Sequence, residues 1–87
     1  MTPLRLNPSA VSWLEVDGEI LALQHSSSEY LSTNATGARL WKLLTEGTSR
    51  EHLIAMFVEE YGIDEARAAA DIDAFLGDLV AHGLLAV

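Results

Sequence analysis

Val11 to Val16 and Glu19 to His25 are runs rich in Val, Ile, Leu and Trp, and they flank the dipeptide Asp17-Gly18. An Asp-Gly pair between two such runs favours the left-handed backbone of a type I′ turn, so the spacing predicts a hairpin with strands over 11–16 and 19–25. In that register Leu14 faces Leu21 and Ser12 faces Leu23 on one side, while Trp13 faces Ala22 and Glu15 faces Ile20 on the other. Neither face is cleanly polar: one covers the helices, and the other leaves apolar surface available. After the Ser26-Ser27-Ser28 turn, "EYLST" predicts a short edge strand over 29–33. It carries no Pro or Lys to block pairing, so its free N–H and C=O groups can accept a guest strand.

Beyond Asn34 the period changes from two to about 3.6. Asn34 predicts the cap of a helix with Ala38, Leu40, Trp41, Leu43 and Leu44 at mostly helical spacing, closed by Gly47. Thr48-Ser49-Arg50-Glu51 has capping-box spacing, with Thr48 as the expected cap of a second helix that ends at Gly62. Asp64 predicts the cap of a third helix, 64–82, whose apolar arc gathers Ala68, Ala69, Ile72, Phe75, Leu76, Leu79 and Val80 before Gly83. The expected architecture is α+β: a three-stranded antiparallel sheet followed by three helices, with the element content of a winged helix-turn-helix. With 87 residues and no linker or repeat, residues 1–87 are read as a single domain.

Charge and composition narrow the chemistry. Thirteen Asp and Glu against five Lys and Arg give a net charge of -8, which repels nucleic-acid phosphates and anionic membranes. From Asp64 to Asp78 the third helix holds five acids, Asp64, Glu65, Asp71, Asp73 and Asp78, against Arg67 alone. A DNA-reading helix needs the opposite sign. No stretch reaches the roughly 18 apolar residues of a membrane span. The start from Met1 to Asn7 has no signal-peptide core, which places the protein in the cytoplasm. There is no cysteine, hence no disulfide or thiolate nucleophile. His25, His52 and His82 lack metal-ligand spacing, and Ser26 to Ser28 lack the context of an activated nucleophile. The six glycines form no phosphate-cradling run. The expectation is a binding protein with no catalytic residues, no metal and no cofactor.

Gly18, Tyr30-Leu31, Asn34, Gly37, Trp41, Leu43-Leu44 and Gly47, then Tyr61-Gly62, then Asp71-Ile72, Phe75-Leu76, Leu79 and Gly83-Leu84, form a pattern over nearly the whole chain. It resembles the PqqD-like family, the RiPP recognition elements of ribosomally made peptide pathways. Within that group "EYLSTNATGARLWKLL" looks most like the stand-alone leader-binding subunit of lasso peptide biosynthesis. The turn before Glu29 lacks the Pro-Glu expected of the pyrroloquinoline quinone protein itself.

The resemblance implies that the protein binds the leader of a precursor peptide. It would deliver the precursor to a leader peptidase and a cyclase or other tailoring enzyme, as a monomer or weak homodimer. It implies a leader added as an antiparallel strand to Glu29, Tyr30, Leu31, Ser32 and Thr33, over a groove beside the third helix. Along that helix the expected contacts are Arg67, Asp71, Phe75 and Asp78. Tyr30 and Leu31 point to opposite faces, so only one can line the groove. Sequence leaves open whether the Asp71–Phe75–Asp78 flank or the Ala69–Asp73–Leu76–Val80 flank meets the peptide; the first is favoured. If the Leu31 N–H points outward, a proline at Leu31 abolishes binding. Two alternatives stand beside this reading: a peptide chaperone of PQQ biosynthesis working with a radical SAM enzyme, and a non-DNA-binding winged-helix dimerisation module.

Overall fold

Asp17 and Gly18 both adopt positive φ, 53° and 79°, as the Asp-Gly hairpin requires. The computed structural model describes residues 4–86; Met1 to Pro3, within the start read for a signal segment, and Val87 lie outside the described residues. In chain order the elements are β1 (Arg5–Leu6), β2 (Val11–Val16), β3 (Glu19–Gln24), β4 (Glu29–Thr33), α1 (Ala35–Glu46), α2 (Arg50–Tyr61), α3 (Glu65–Ala81) and β5 (Leu85–Ala86). The antiparallel sheet β2-β3-β4 is followed by three helices, as expected, and every strand pair of the predicted hairpin register is present. The second strand stops at Gln24 rather than His25.

A two-stranded sheet that the hydrophobic pattern did not predict ties the termini together, with Leu6 opposite Leu85. Asn7 N–H donates to the Leu84 carbonyl at 2.7 Å, which closes this sheet against the end of α3. The same N-terminal segment moves the cap of α2. Thr48 exchanges two backbone hydrogen bonds with Leu4, at 2.7 and 2.9 Å, and is held as a β-bridge. Ser49 therefore takes the cap expected of Thr48, its hydroxyl accepting from His52 N–H at 3.1 Å. Asn34 and Asp64 cap α1 and α3 as predicted, accepting from Gly37 N–H at 2.9 Å and Arg67 N–H at 2.8 Å.

The core lies between the inner sheet face and the helices. Ile20 and Ala22 of β3 meet Trp41 and Leu44 of α1, with Leu53 of α2, Ile72 of α3 and Leu84 completing it. Ala68, Leu76 and Leu79 bury the rest of the α3 arc; Val80, expected on that arc, is exposed. Gly37 sits where α1 begins against the end of β4. A Cβ there would stand 2.9 Å from Thr33 Cβ, so glycine permits the close approach of helix and strand. No helix among the described residues is long and apolar enough to cross a membrane.

Candidate functional site

The strand order leaves one long side of β4 unpaired, and the phase of the ladder determines what that side offers. His25 N–H donates to the Ala10 carbonyl at 2.9 Å, and Ser28 N–H donates to the Gln24 carbonyl at 2.9 Å. Odd-numbered residues of β3 thus direct their backbone groups to β2, and Gln24, Ala22 and Ile20 direct theirs to β4. Their partners are Glu29, Leu31 and Thr33. The residues that present N–H and C=O to the open edge are therefore Tyr30 and Ser32. This corrects the expectation for Leu31, whose N–H belongs to the ladder with β3. A proline at Leu31 would damage the sheet, whereas one at Ser32 would alter only the edge.

Beside this edge runs a groove of about 330 Å³, floored by Leu31, Gly37, Trp41 and Leu79 and flanked by Phe75 and Asp78 of α3. Ser32, Thr33, Asn34 and His82 complete its lining. Leu31 reaches it because it shares the inner sheet face with Ala22, its partner on β3. Tyr30 stands on the opposite face and is 70% exposed. At one end Gln24 ties the sheet to α3, its Nε2 donating to the His82 carbonyl at 2.6 Å. Trp41, only 1% exposed, contributes a surface to the groove, yet its Nε1 is buried without a hydrogen-bond partner, as is Gln24 Oε1.

Of the nine residues expected at a peptide site, the structure brings Leu31, Ser32, Thr33, Phe75 and Asp78 together around this groove. Glu29 and Tyr30 belong to the same strand but lie outside the lining. Arg67 and Asp71 are exposed and extend the stripe that ends in Phe75, each one helical step of four toward the N-terminus. Asn34, Gly37, Trp41, Leu79 and His82 were not expected in the lining. Two of them had a visible signal, because Asn34 and Gly37 fall at the junction between the edge strand and the first helix.

The alternative flank is occupied. Arg50 Nε and Nη2 donate to the two carboxylate oxygens of Asp73 at 2.7 and 2.9 Å, joining α2 to α3. That hydrogen-bonded guanidinium, with its charge, holds the Asp73 carboxyl below the usual carboxylate range. Arg39 likewise grips Glu60 and lowers its pKa, and Lys42 Nζ donates to Glu15 at 2.7 Å. Three of the five Lys and Arg residues are thus committed to acids away from the groove, while among the described residues Asp78 and Asp71 have no ion-pair partner. The groove is an apolar trench with an acidic helical bank and a strand edge ready for pairing. Among the described residues no three metal-ligating side chains gather in one place.

Comparison with known proteins places this geometry. Residues 19–85 match the sequence profile of the family described as coenzyme PQQ synthesis protein D (PqqD). Two solved structures superpose over almost the whole chain. TbiB1 in complex with the TbiA(beta) leader peptide is 30% identical, with a TM-score of 0.84 over 93% of this chain and 93% of that one. A lasso peptide synthetase B1 complexed with its leader peptide is 27% identical, with a TM-score of 0.83 over 98% of this chain and 99% of that one. No curated protein sequence matches significantly.

Proposed function

The chain belongs to the PqqD family, and from that premise we propose that it is a RiPP recognition element that binds the leader of a ribosomally synthesised precursor, of the lasso peptide type. The observation that carries this reading is the juxtaposition of an unpaired strand edge with the apolar groove beside it. A guest strand antiparallel to β4 would hydrogen-bond to Tyr30 and Ser32 through its main chain. Alternate side chains would drop into the groove between Leu31 and Phe75. Main-chain pairing supplies affinity that depends little on sequence, and the groove supplies selection. In the two superposing structures the bound partner is a leader peptide, which favours this reading over the dimerisation module.

Nine residues form the proposed contact: Glu29, Tyr30, Leu31, Ser32 and Thr33 along the edge, and Arg67, Asp71, Phe75 and Asp78 along α3. The bank is acidic, so a leader with Lys or Arg flanking its apolar anchors fits best, and its association rate falls as salt rises. A five- or six-residue strand with one or two buried anchors reaches about -8 to -11 kcal/mol, roughly micromolar to ten nanomolar. The protein acts as a non-catalytic adaptor that presents the precursor to a leader peptidase and a cyclase.

Fluorescence anisotropy of a labelled cognate leader against a scrambled copy tests this. Saturable binding of the cognate alone, in the stated range, is expected; equal binding of both peptides, or of neither by the folded protein, would remove the reading.

A further inference from the structure

The side of the β2-β3-β4 sheet turned away from the helices presents a second exposed apolar surface, apart from the leader groove. The strand pairs Leu14–Leu21, Ser12–Leu23, Val16–Glu19, Leu23–Tyr30 and Leu21–Ser32 all stand on it. Leu14 is 52% exposed, Leu21 41% and Val16 50%, and Tyr30 adjoins Leu23. Exposed aliphatic side chains gathered on one sheet face mark an interaction surface more often than a solvated one.

Charge decides what can cover it. From Leu6 to Ala38 the chain contains no Lys or Arg. It does contain Glu15, Asp17, Glu19 and Glu29, of which only Glu15 is in an ion pair among the described residues. Glu19 lies on the face itself, opposite Val16, and Asp17 stands beside it in the turn. A second copy packed on this face by a two-fold axis would bring only acids to a surface already bare of cations. Symmetric pairing is therefore disfavoured electrostatically, and the complementary surface is one with an apolar centre and a basic rim.

Position adds a second argument. Tyr30 and Ser32 place their side chains on this face and their backbone groups at the open edge. A strand added there would extend the same face by one row, so a protein seated on it lies directly against the bound leader.

We propose that the outer sheet face, centred on Leu14, Leu21, Leu23 and Tyr30 and rimmed by Asp17 and Glu19, is the docking surface for the peptidase that cleaves the bound leader, through an apolar, basic-rimmed patch. The identity of the partner rests on the leader-binding reading; the surface and its chemistry do not.

The test uses the full chain, its leader, and the purified leader peptidase of the same pathway as the probe. Leu14→Thr with Leu21→Thr replaces two leucines with β-branched, strand-favouring residues and lies outside the leader site. The double variant should keep its circular dichroism and its leader Kd within twofold while losing at least tenfold in affinity for the peptidase. Asp17→Asn with Glu19→Gln should weaken peptidase binding two- to fivefold and flatten its salt dependence. Peptidase affinity unchanged in the double variant, or no peptidase binding by wild type that binds leader tightly, overturns the docking surface and leaves leader binding standing. Wild-type dimerisation in sedimentation equilibrium that Leu14→Thr with Leu21→Thr abolishes also overturns it, in favour of a second copy. Failure of the leader to bind the folded wild type would instead count against the proposed function.

Discussion

On one flank of α3 Asp73 is locked to Arg50 of α2 by two hydrogen bonds; on the other, Asp78 and Phe75 stand over an open groove with β4 as its far wall. The two flanks have similar composition, each mixing carboxylates with apolar residues, and the sequence alone did not separate them. Their neighbours do. An acid facing a helix that carries an arginine becomes a strut, whereas an acid facing a strand edge without cations remains free to meet a ligand. Net charge therefore says little about a helix until each carboxylate has been assigned a neighbour.

The far wall gives the largest expected effect. Ser32→Pro removes an outward N–H without touching the ladder to β3, leaving a guest carbonyl unpaired. Leader affinity should fall by about 2 kcal/mol, roughly 30-fold in Kd, with little change in Tm. Leu31→Pro should instead lower Tm, because it breaks the ladder. Thermal melts and anisotropy on both variants separate the two effects, and the reverse pattern would mean that the edge carries the opposite phase.

On the open flank, Phe75→Ala should weaken the leader by about 1.5 kcal/mol, roughly tenfold, through loss of apolar contact, while a binding isotherm for Asp73→Asn should superpose on wild type. Were Asp73→Asn the damaging change, the leader would lie on the α2 side. Asp78→Asn should cost two- to fivefold and reduce the salt dependence of association, measurable by stopped flow at two ionic strengths.

The smallest effect concerns the locked flank and pH. Asp73 and Glu60 have folded pKa values below their unfolded ones, because Arg50 and Arg39 bond to their ionised forms. Their contribution is present above the ordinary carboxylate range and is lost as pH falls through the lowered folded values. Both pairs are solvent-exposed, so the Tm of wild type should fall only slightly further on acidification than that of an Asp73→Asn, Glu60→Gln variant.

What could be read from the chain was local. The hairpin register followed from Asp17-Gly18, and the caps at Asn34 and Asp64 from side chains that bond three residues ahead. The pairing of Leu6 with Leu85 could not be read, since neither two-residue strand has a pattern of its own. The displaced cap of α2 follows from the same distant contact, through Leu4 and Thr48. The lock on the Asp73 flank of α3 could not be read either, since it comes from Arg50, 23 residues away. The phase of the β4 edge is a different case. A two-residue hairpin makes Val16 and Glu19 a hydrogen-bonded pair, and counting from there along β3 assigns the outward groups to Tyr30 and Ser32 once the β3–β4 register is known.

Strand addition is tested most directly by amide hydrogen exchange on ¹⁵N-labelled protein with and without the cognate leader. Tyr30 and Ser32 N–H should exchange quickly in the free protein and slowly in the complex, while Leu31 and Thr33, already bonded to β3, should change little. Tight leader binding that leaves Tyr30 and Ser32 unprotected would contradict strand addition and place the peptide elsewhere on the molecule.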